Sequence, residues 1–318
     1  MKTFRPSSLL TLPLALSLLL TTTTLTGSYA QRRRQARQPP VRKTFAGTAL
    51  FVVSGEGDAS APAEHSMDAL ALFDKGKFID PVGDGDSSKE KPFAEKYFKA
   101  GNRYRLLFGG GDAGQVTVEN YSEGCNTIHS KVNVEGAVNN TESASKIKGR
   151  IYALATDSET LGKKSPSRRA LSAAERAAVM TLVKNIYRQH GTSNALMRLL
   201  QVGNLTATDL DGDGKFEVIG DFRIEANPNS LTGARRDLFL IASPSGTGFK
   251  AELAKFQAYN KVDDFGRGES FVDQLDIDGD GTGEVVIVGE GYDGYGYTIY
   301  QKRAGRWREV YSVMGDAC

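Results

Sequence analysis

Hydrophobic and polar positions along the chain follow two rhythms, and the change between them divides it. From residue 44 to about 155 the apolar runs are short and stop at glycine or polar clusters, as strands do. Residues 45–53 are apolar and end at Ser54-Gly55. Residues 103–108 run into Gly109-Gly110-Gly111-Asp112 and are followed by 115–120, which predicts a hairpin across a glycine turn. Ile128, Ser130, Val132 and Val134 alternate onto one face of a half-buried strand. Residues 147–155 are a further strand. The polar, glycine-rich stretch 83–91 reads as a loop. The glycines at 109–111 lack the GK[ST] ending of a phosphate loop, which leaves a turn.

Residues 156–169 are polar and read as a linker. The rhythm then becomes helical. Ser172 followed by Glu175 fits the S-x-x-E capping box, in which each side chain bonds a free backbone N–H at a helix start. Val179, Leu182, Val183, Ile186 and Tyr187 form an apolar stripe at helical spacing. Arg188 and His190 occupy the last turn, and Gly191 ends it. A short helix is expected over 193–200. Beyond 200 the strand rhythm returns in two sets of four: 205–208, 218–224, 237–242 and 249–256, then 271–275, 285–289, 295–301 and 306–312.

Candidate chemistry sits between the first two strands of each set. Asp209-Leu210-Asp211-Gly212-Asp213-Gly214-Lys215-Phe216-Glu217 recurs 67 residues later as Asp276-Ile277-Asp278-Gly279-Asp280-Gly281-Thr282-Gly283-Glu284. Both have the frame D-x-D-x-D-G-x-x-E. On a curled loop the first, third and fifth carboxylates converge, Gly at the sixth position permits the turn, the seventh residue offers a carbonyl, and Glu at the ninth adds a ligand. Calcium takes such an oxygen shell, whereas magnesium demands stricter geometry. Without a cation the carboxylates repel. Neither loop holds His or Cys, which argues against zinc. An EF-hand would need a bidentate Glu at position twelve, where Gly220 and Ile287 stand, and a helix after the loop, where Val285-Val286-Ile287-Val288 reads as a strand.

At these residues the chain resembles the FG-GAP/VCBS type of repeat, found in integrin-like β-propellers and many secreted bacterial proteins. The resemblance covers about residues 201–318 and rests on the acidic loop, since the FG and GAP tripeptides are not evident. It implies calcium ligands Asp209, Asp211, Asp213 and Glu217 with the Lys215 carbonyl, and Asp276, Asp278, Asp280 and Glu284 with the Thr282 carbonyl. It also implies two blade-like β units. Propellers have four to eight blades, so two do not close a ring.

Composition sharpens the compartment. Residues 1–30 have the build of a secretory signal peptide: Lys2 and Arg5, an apolar run over 9–20, and Ser28-Tyr29-Ala30 before Gln31. The run is too short to span a bilayer. No Cys follows it for lipid attachment, and the arginines at 32–34 lie on the wrong side of it for a twin-arginine signal. Residues 31–43 form a basic, proline-containing arm without periodicity, suited to solvent or an anionic surface. The 40 basic and 38 acidic residues nearly cancel, but eight of the basic ones fall in 1–43 with no acid. The rest therefore carries 32 against 38, a net of −6. This balance argues against a dedicated nucleic-acid binder.

Two cysteines, Cys125 and Cys318, could pair in an exported chain. Tyr292, Tyr295, Tyr297 and Tyr300 cluster in one hairpin region, suited either to cross-sheet packing or to stacking on a sugar. Trp307, the only tryptophan, reads as sheet packing. His65, His129 and His190 form no HExxH pair, and there is no nucleophile elbow, Walker loop or dinucleotide fingerprint.

The sequence thus predicts a mainly β protein: signal peptide 1–30, basic linker 31–43, N-terminal β domain 44–155, linker and helix 156–200, and two calcium-binding β repeats over 201–318. The functional expectation is a secreted, periplasmic or cell-envelope protein, non-enzymatic, with two structural Ca2+ ions and a protein or glycan partner. The alternative is a secreted hydrolase with its active site in the N-terminal domain and the repeats as accessories.

Overall fold

A computed structural model describes residues 45–56, 64–83, 87–123, 128–136, 146–147, 150–163, 167–226, 235–259, 268–291 and 294–317. The signal peptide, the basic arm, Cys125, Cys318 and Tyr292 lie outside them. The chain divides into residues 1–42 and 43–318, and the description concerns the second unit.

The protein is mainly β. Its first part comprises β1 (Thr48–Glu56), β2 (Glu64–Asp74), β3 (Lys77–Ile79), helix α1 (Ser87–Tyr97), β4 (Arg103–Phe108), β5 (Gly111–Glu123), β6 (Ile128–Gly136), β7 (Lys146–Ile147) and β8 (Arg150–Thr156). Six strands pair in the order β1-β2-β6-β5-β4-β8, and β8 returns to β1 to close a barrel. Closure leaves these six strands no free edge. The expected hairpin is present: Phe108 pairs with Gly111 across Gly109 and Gly110, both with positive φ, as a two-residue turn of the I′ type requires.

Alternation along the strands sorts side chains between two cores. Phe51, Val53, Met67, Ala153 and Ala155 point inward and pack with Phe93, Ala94, Tyr97 and Phe98 of α1 and its C-terminal end. The expectation of a loop over 83–91 is thereby corrected: from Ser87 onward the chain is helical. The polar start of this segment and its Pro92 conceal an apolar stripe that begins only at Phe93.

Helix α2 (Ala173–Gln189) has Ser172 as N-cap, with both halves of the capping box formed. A short α3 (Asn194–Met197) follows. Two four-stranded antiparallel sheets complete the fold, each a simple meander. The first contains β9 (Leu200–Thr208), β10 (Glu217–Glu225), β11 (Arg235–Ser245) and β12 (Gly248–Tyr259). The second contains β13 (Gly268–Leu275), β14 (Glu284–Glu290), β15 (Gly294–Arg303) and β16 (Arg306–Ala317).

The layers stack in a definite order. Val179, Val183, Ile186 and Tyr187 of α2 pack on Val218, Phe222, Leu238 and Leu240 of the first sheet. The other face of that sheet, through Ile219, Phe239 and Ile241, meets Phe271, Val285 and Ile287 of the second. The far face of the second sheet, through Val286, Val288 and Ile299, meets Leu50, Val52, Leu70 and Leu154 on the outside of the barrel. β14 is therefore buried on both faces, which explains its unbroken β-branched run. Helix and barrel wall cover the two outer faces that the sheets would otherwise expose.

The polar segment before α2 is fastened at its end. Arg169 forms a β-bridge with Ala207, and Arg168 is buried against Asp273. No helix among the described residues is long and apolar enough to cross a membrane.

Candidate metal centres

Each acidic loop joins the first two strands of one sheet, β9 to β10 and β13 to β14. In the first, Asp209 curls the chain around itself: Oδ1 accepts from the Gly212 N–H at 2.8 Å and Oδ2 from the Gly214 N–H at 3.0 Å. In the second, Asp276 accepts from Gly279 at 2.9 Å and Gly281 at 3.2 Å. These four glycines, at the fourth and sixth positions, all have φ between +73° and +93°, which side chains rarely adopt. The next two aspartates repeat the pattern two residues on: Asp211 accepts from the Asp213 N–H and Asp278 from Asp280, then Asp213 from Lys215 and Asp280 from Thr282.

The ninth-position glutamates reach back. Glu217 Oε2 accepts from the Leu210 N–H at 3.1 Å, and Glu284 Oε2 from the Ile277 N–H at 2.7 Å. Leu210 and Ile277, at the second position, are buried and pin the loops to the cores. Carboxylate oxygens of Asp209, Asp211 and Glu217 lie within 4.8 Å of one another, as do those of Asp276, Asp278 and Asp280. Ligands at 2.3–2.6 Å from one ion are at most about 5 Å apart, so both trios fit a calcium shell.

The two centres differ. In the first, Asp213 stands outside the converging trio and pairs with the Lys215 ammonium at 2.7 Å, which lowers its pKa. In the second, Thr282 replaces Lys215, and Gln301 of β15 donates to both Asp278 and Glu284 Oε1. Glu284 is 1 % exposed; burial pushes its carboxyl up to about 7, with the Asp278 charge adding to the rise and the Ile277 N–H and Gln301 opposing it. Burial raises Glu217 as well. A cation would offset the cost of ionising these buried acids, which is how the residues present fit a metal. The loops also touch, since the Gly283 N–H donates to the Leu210 carbonyl at 2.7 Å.

Sequence reasoning reaches the acids but misses Gln301, which approaches from a strand 17 residues beyond Glu284 with no local motif to mark it. It also groups the tyrosines too closely. Tyr295 and Tyr297 face the barrel, while Tyr300 lies on the opposite face beside Phe239 and bonds Lys255. Trp307 is in the core between the two sheets. His190 stacks on Phe256 with ring centroids 4.1 Å apart.

One further polar cluster lies between the barrel wall and the second sheet. His129 Nδ1 is 2.7 Å from Asp68 Oδ1, and Nε2 is 3.2 Å from Asp316 Oδ2. Asp68 Oδ2 accepts from the hydroxyls of Tyr295 at 2.9 Å and Tyr297 at 2.6 Å. The hydrogen bond to Asp68 raises the His129 pKa to about 9, against the effect of burial and with further support from Asp316.

Comparison of the chain with family models, curated proteins and solved structures gives no significant match.

Proposed function

We propose that the protein is an exported, calcium-stabilised binding or cell-envelope protein, with two FG-GAP/VCBS-type units whose acidic loops hold structural Ca2+. One observation carries this reading: the same nine-residue frame occupies the same strand connection in two successive four-stranded meanders, and in each the carboxylates converge within the span of a calcium shell. The proposed ligands are drawn from Asp209, Asp211, Asp213 and Glu217 with the Lys215 carbonyl, and from Asp276, Asp278, Asp280 and Glu284 with the Thr282 carbonyl. The ions neutralise acids that folding brings together, and so tie loop closure to the packing of Leu210 and Ile277.

The test is a thermal melt with calcium and with chelator, alongside calorimetric titration of the chelated protein. An ion at about 100-fold over its Kd adds about 2.7 kcal/mol per site. An unchanged midpoint with no binding heat overturns the proposal.

A further inference from the structure

The His129 cluster forms one wall of an open cavity of about 340 Å3 between the barrel and the start of β15. That volume is at the small end of the range for sites that take organic ligands, about 300–1,000 Å3. The cavity does not depend on the metal loops. Tyr295 and Gln301 are six residues apart on β15, so the wall and the second loop lie about 20 Å apart along the strand.

The lining has a particular chemistry. Its charged side chains are engaged with one another: His129 lies between Asp68 at 2.7 Å and Asp316 at 3.2 Å, and Lys131 faces Glu64 at 3.6 Å. Asp68 is already satisfied by His129, Tyr295 and Tyr297, so it offers no open carboxylate to a cation. Hydroxyls remain available. Ser54 and Ser66 are bonded to each other at 2.9 Å, which occupies one donor and one lone pair of the set, and Ser122 lines the cavity from an exposed position on β5. The half-buried ring of Tyr295 supplies apolar wall. Charges already engaged with one another, spare hydroxyl capacity and the Tyr295 ring complement a molecule with hydroxyls around its edge, C–H groups on its faces and no net charge.

We infer that this cavity is a binding site for a neutral saccharide of one or two rings. The ring packs against Tyr295, and its hydroxyls exchange hydrogen bonds with Ser54, Ser66 and Ser122. The inference stands independently of the calcium reading.

The experiment is calorimetric titration of the full chain, with calcium and with chelator, with glucose, galactose, mannose, N-acetylglucosamine, cellobiose, maltose and lactose. Glucuronate and glucosamine serve as charged comparisons. At least one neutral sugar is expected to bind with a Kd below about 10 mM, more tightly than either charged one. Ser66→Leu, which removes a hydroxyl and narrows the cavity, is expected to weaken binding by about tenfold or more. Ser122→Trp, at an exposed site, gives a second variant should Ser66→Leu lose the native circular dichroism. Three outcomes overturn the inference: no neutral sugar binding to folded protein at about 10 mM, a charged sugar binding better than every neutral one, or unchanged affinity in a folded variant.

Discussion

The Arg168 guanidinium lies 3.3 Å from Asp273 Oδ1, and both side chains are fully buried. Three parts of the chain meet here. Asp273 belongs to β13 and accepts the Gly109 N–H at 2.8 and 3.0 Å, which fastens the tip of the β4–β5 hairpin to the second sheet. Arg168 comes from the segment before α2, donates to the Val272 carbonyl and stacks between Phe108 and Phe271. Breaking one partner of such a pair leaves an uncompensated buried charge and costs about 3–5 kcal/mol. Asp273→Asn and Arg168→Met are each expected to fall in that range by urea denaturation. The double variant is expected to lose less than their sum. Losses below about 1 kcal/mol for both single variants would show that the pair does not anchor the hairpin.

His129 makes the seam between barrel and second sheet sensitive to alkali. Its folded pKa of about 9 exceeds the unfolded value of about 6.5. The contribution is complete below pH of about 6.5, where both states are protonated, and disappears as pH rises through about 9. Its size is at most on the order of 3 kcal/mol. Stability measured between pH of about 7.5 and 9.5 is expected to fall in the native chain and to fall less steeply in His129→Gln. That window lies below the tyrosine titrations, which burial displaces upward at Tyr295 and Tyr297. Parallel slopes in the two proteins would remove His129 from the account.

Local signals in the sequence proved reliable where the physics is local. The capping box at Ser172 and Glu175, the stripe from Val179 to Tyr187 and the hairpin at Gly109-Gly110 each involve residues within a few positions of one another. All eight strands expected beyond residue 200 are present, because each sheet is a meander in which neighbours in sequence are neighbours in space. The barrel was less legible. Phe51 pairs with Ala155, about a hundred residues away, and alternation fixes which face a residue takes without naming its partner strand. The His129 cluster has the same origin. Asp68 and His129 are cross-strand neighbours on the barrel, Tyr295 and Asp316 are cross-strand neighbours on the sheet, and only packing brings the two pairs together.

The start of α2 carries a measurable share of the contact between helix and sheet. Glu175 accepts from the Ser172 N–H at 2.8 Å and is gripped by Arg169 through two further bonds at 2.8 and 2.9 Å, which hold its carboxyl at about 2. Ser172 in turn accepts the Glu175 N–H at 3.2 Å. Ser172→Ala is expected to cost about 1 kcal/mol, as for other N-caps, and Ser172→Gly only a few tenths. Because the Arg169–Glu175 pair lies at the surface and is only partly buried, Glu175→Gln is expected to cost no more than about 1 kcal/mol, and less in high salt. Equal losses in Ser172→Ala and Ser172→Gly would point to packing rather than capping.

The difference between the two acidic loops gives the sharpest check on the calcium reading. In the first, the Lys215 ammonium occupies Asp213 Oδ2 at 2.7 Å, so an incoming cation must compete with a charge already in place. In the second, the equivalent residue is Thr282, and Gln301 orients Asp278 and Glu284 without adding charge. Calcium is therefore expected to bind the second loop more tightly. Lys215→Gln is expected to strengthen the first site by about three- to tenfold, a gain of about 0.7–1.4 kcal/mol. The reciprocal Thr282→Lys is expected to weaken the second by a similar factor. Titrating each variant with calcium, with Asp278→Asn or Asp211→Asn used to silence the other loop, reads the sites separately. Thr282 is half-buried, so Thr282→Lys is read beside its own thermal melt; the Lys215 side chain is solvated, so its exchange disturbs no core and the effect there is electrostatic. It should shrink as ionic strength rises. Identical affinities in all four proteins would show that the seventh position does not tune the sites.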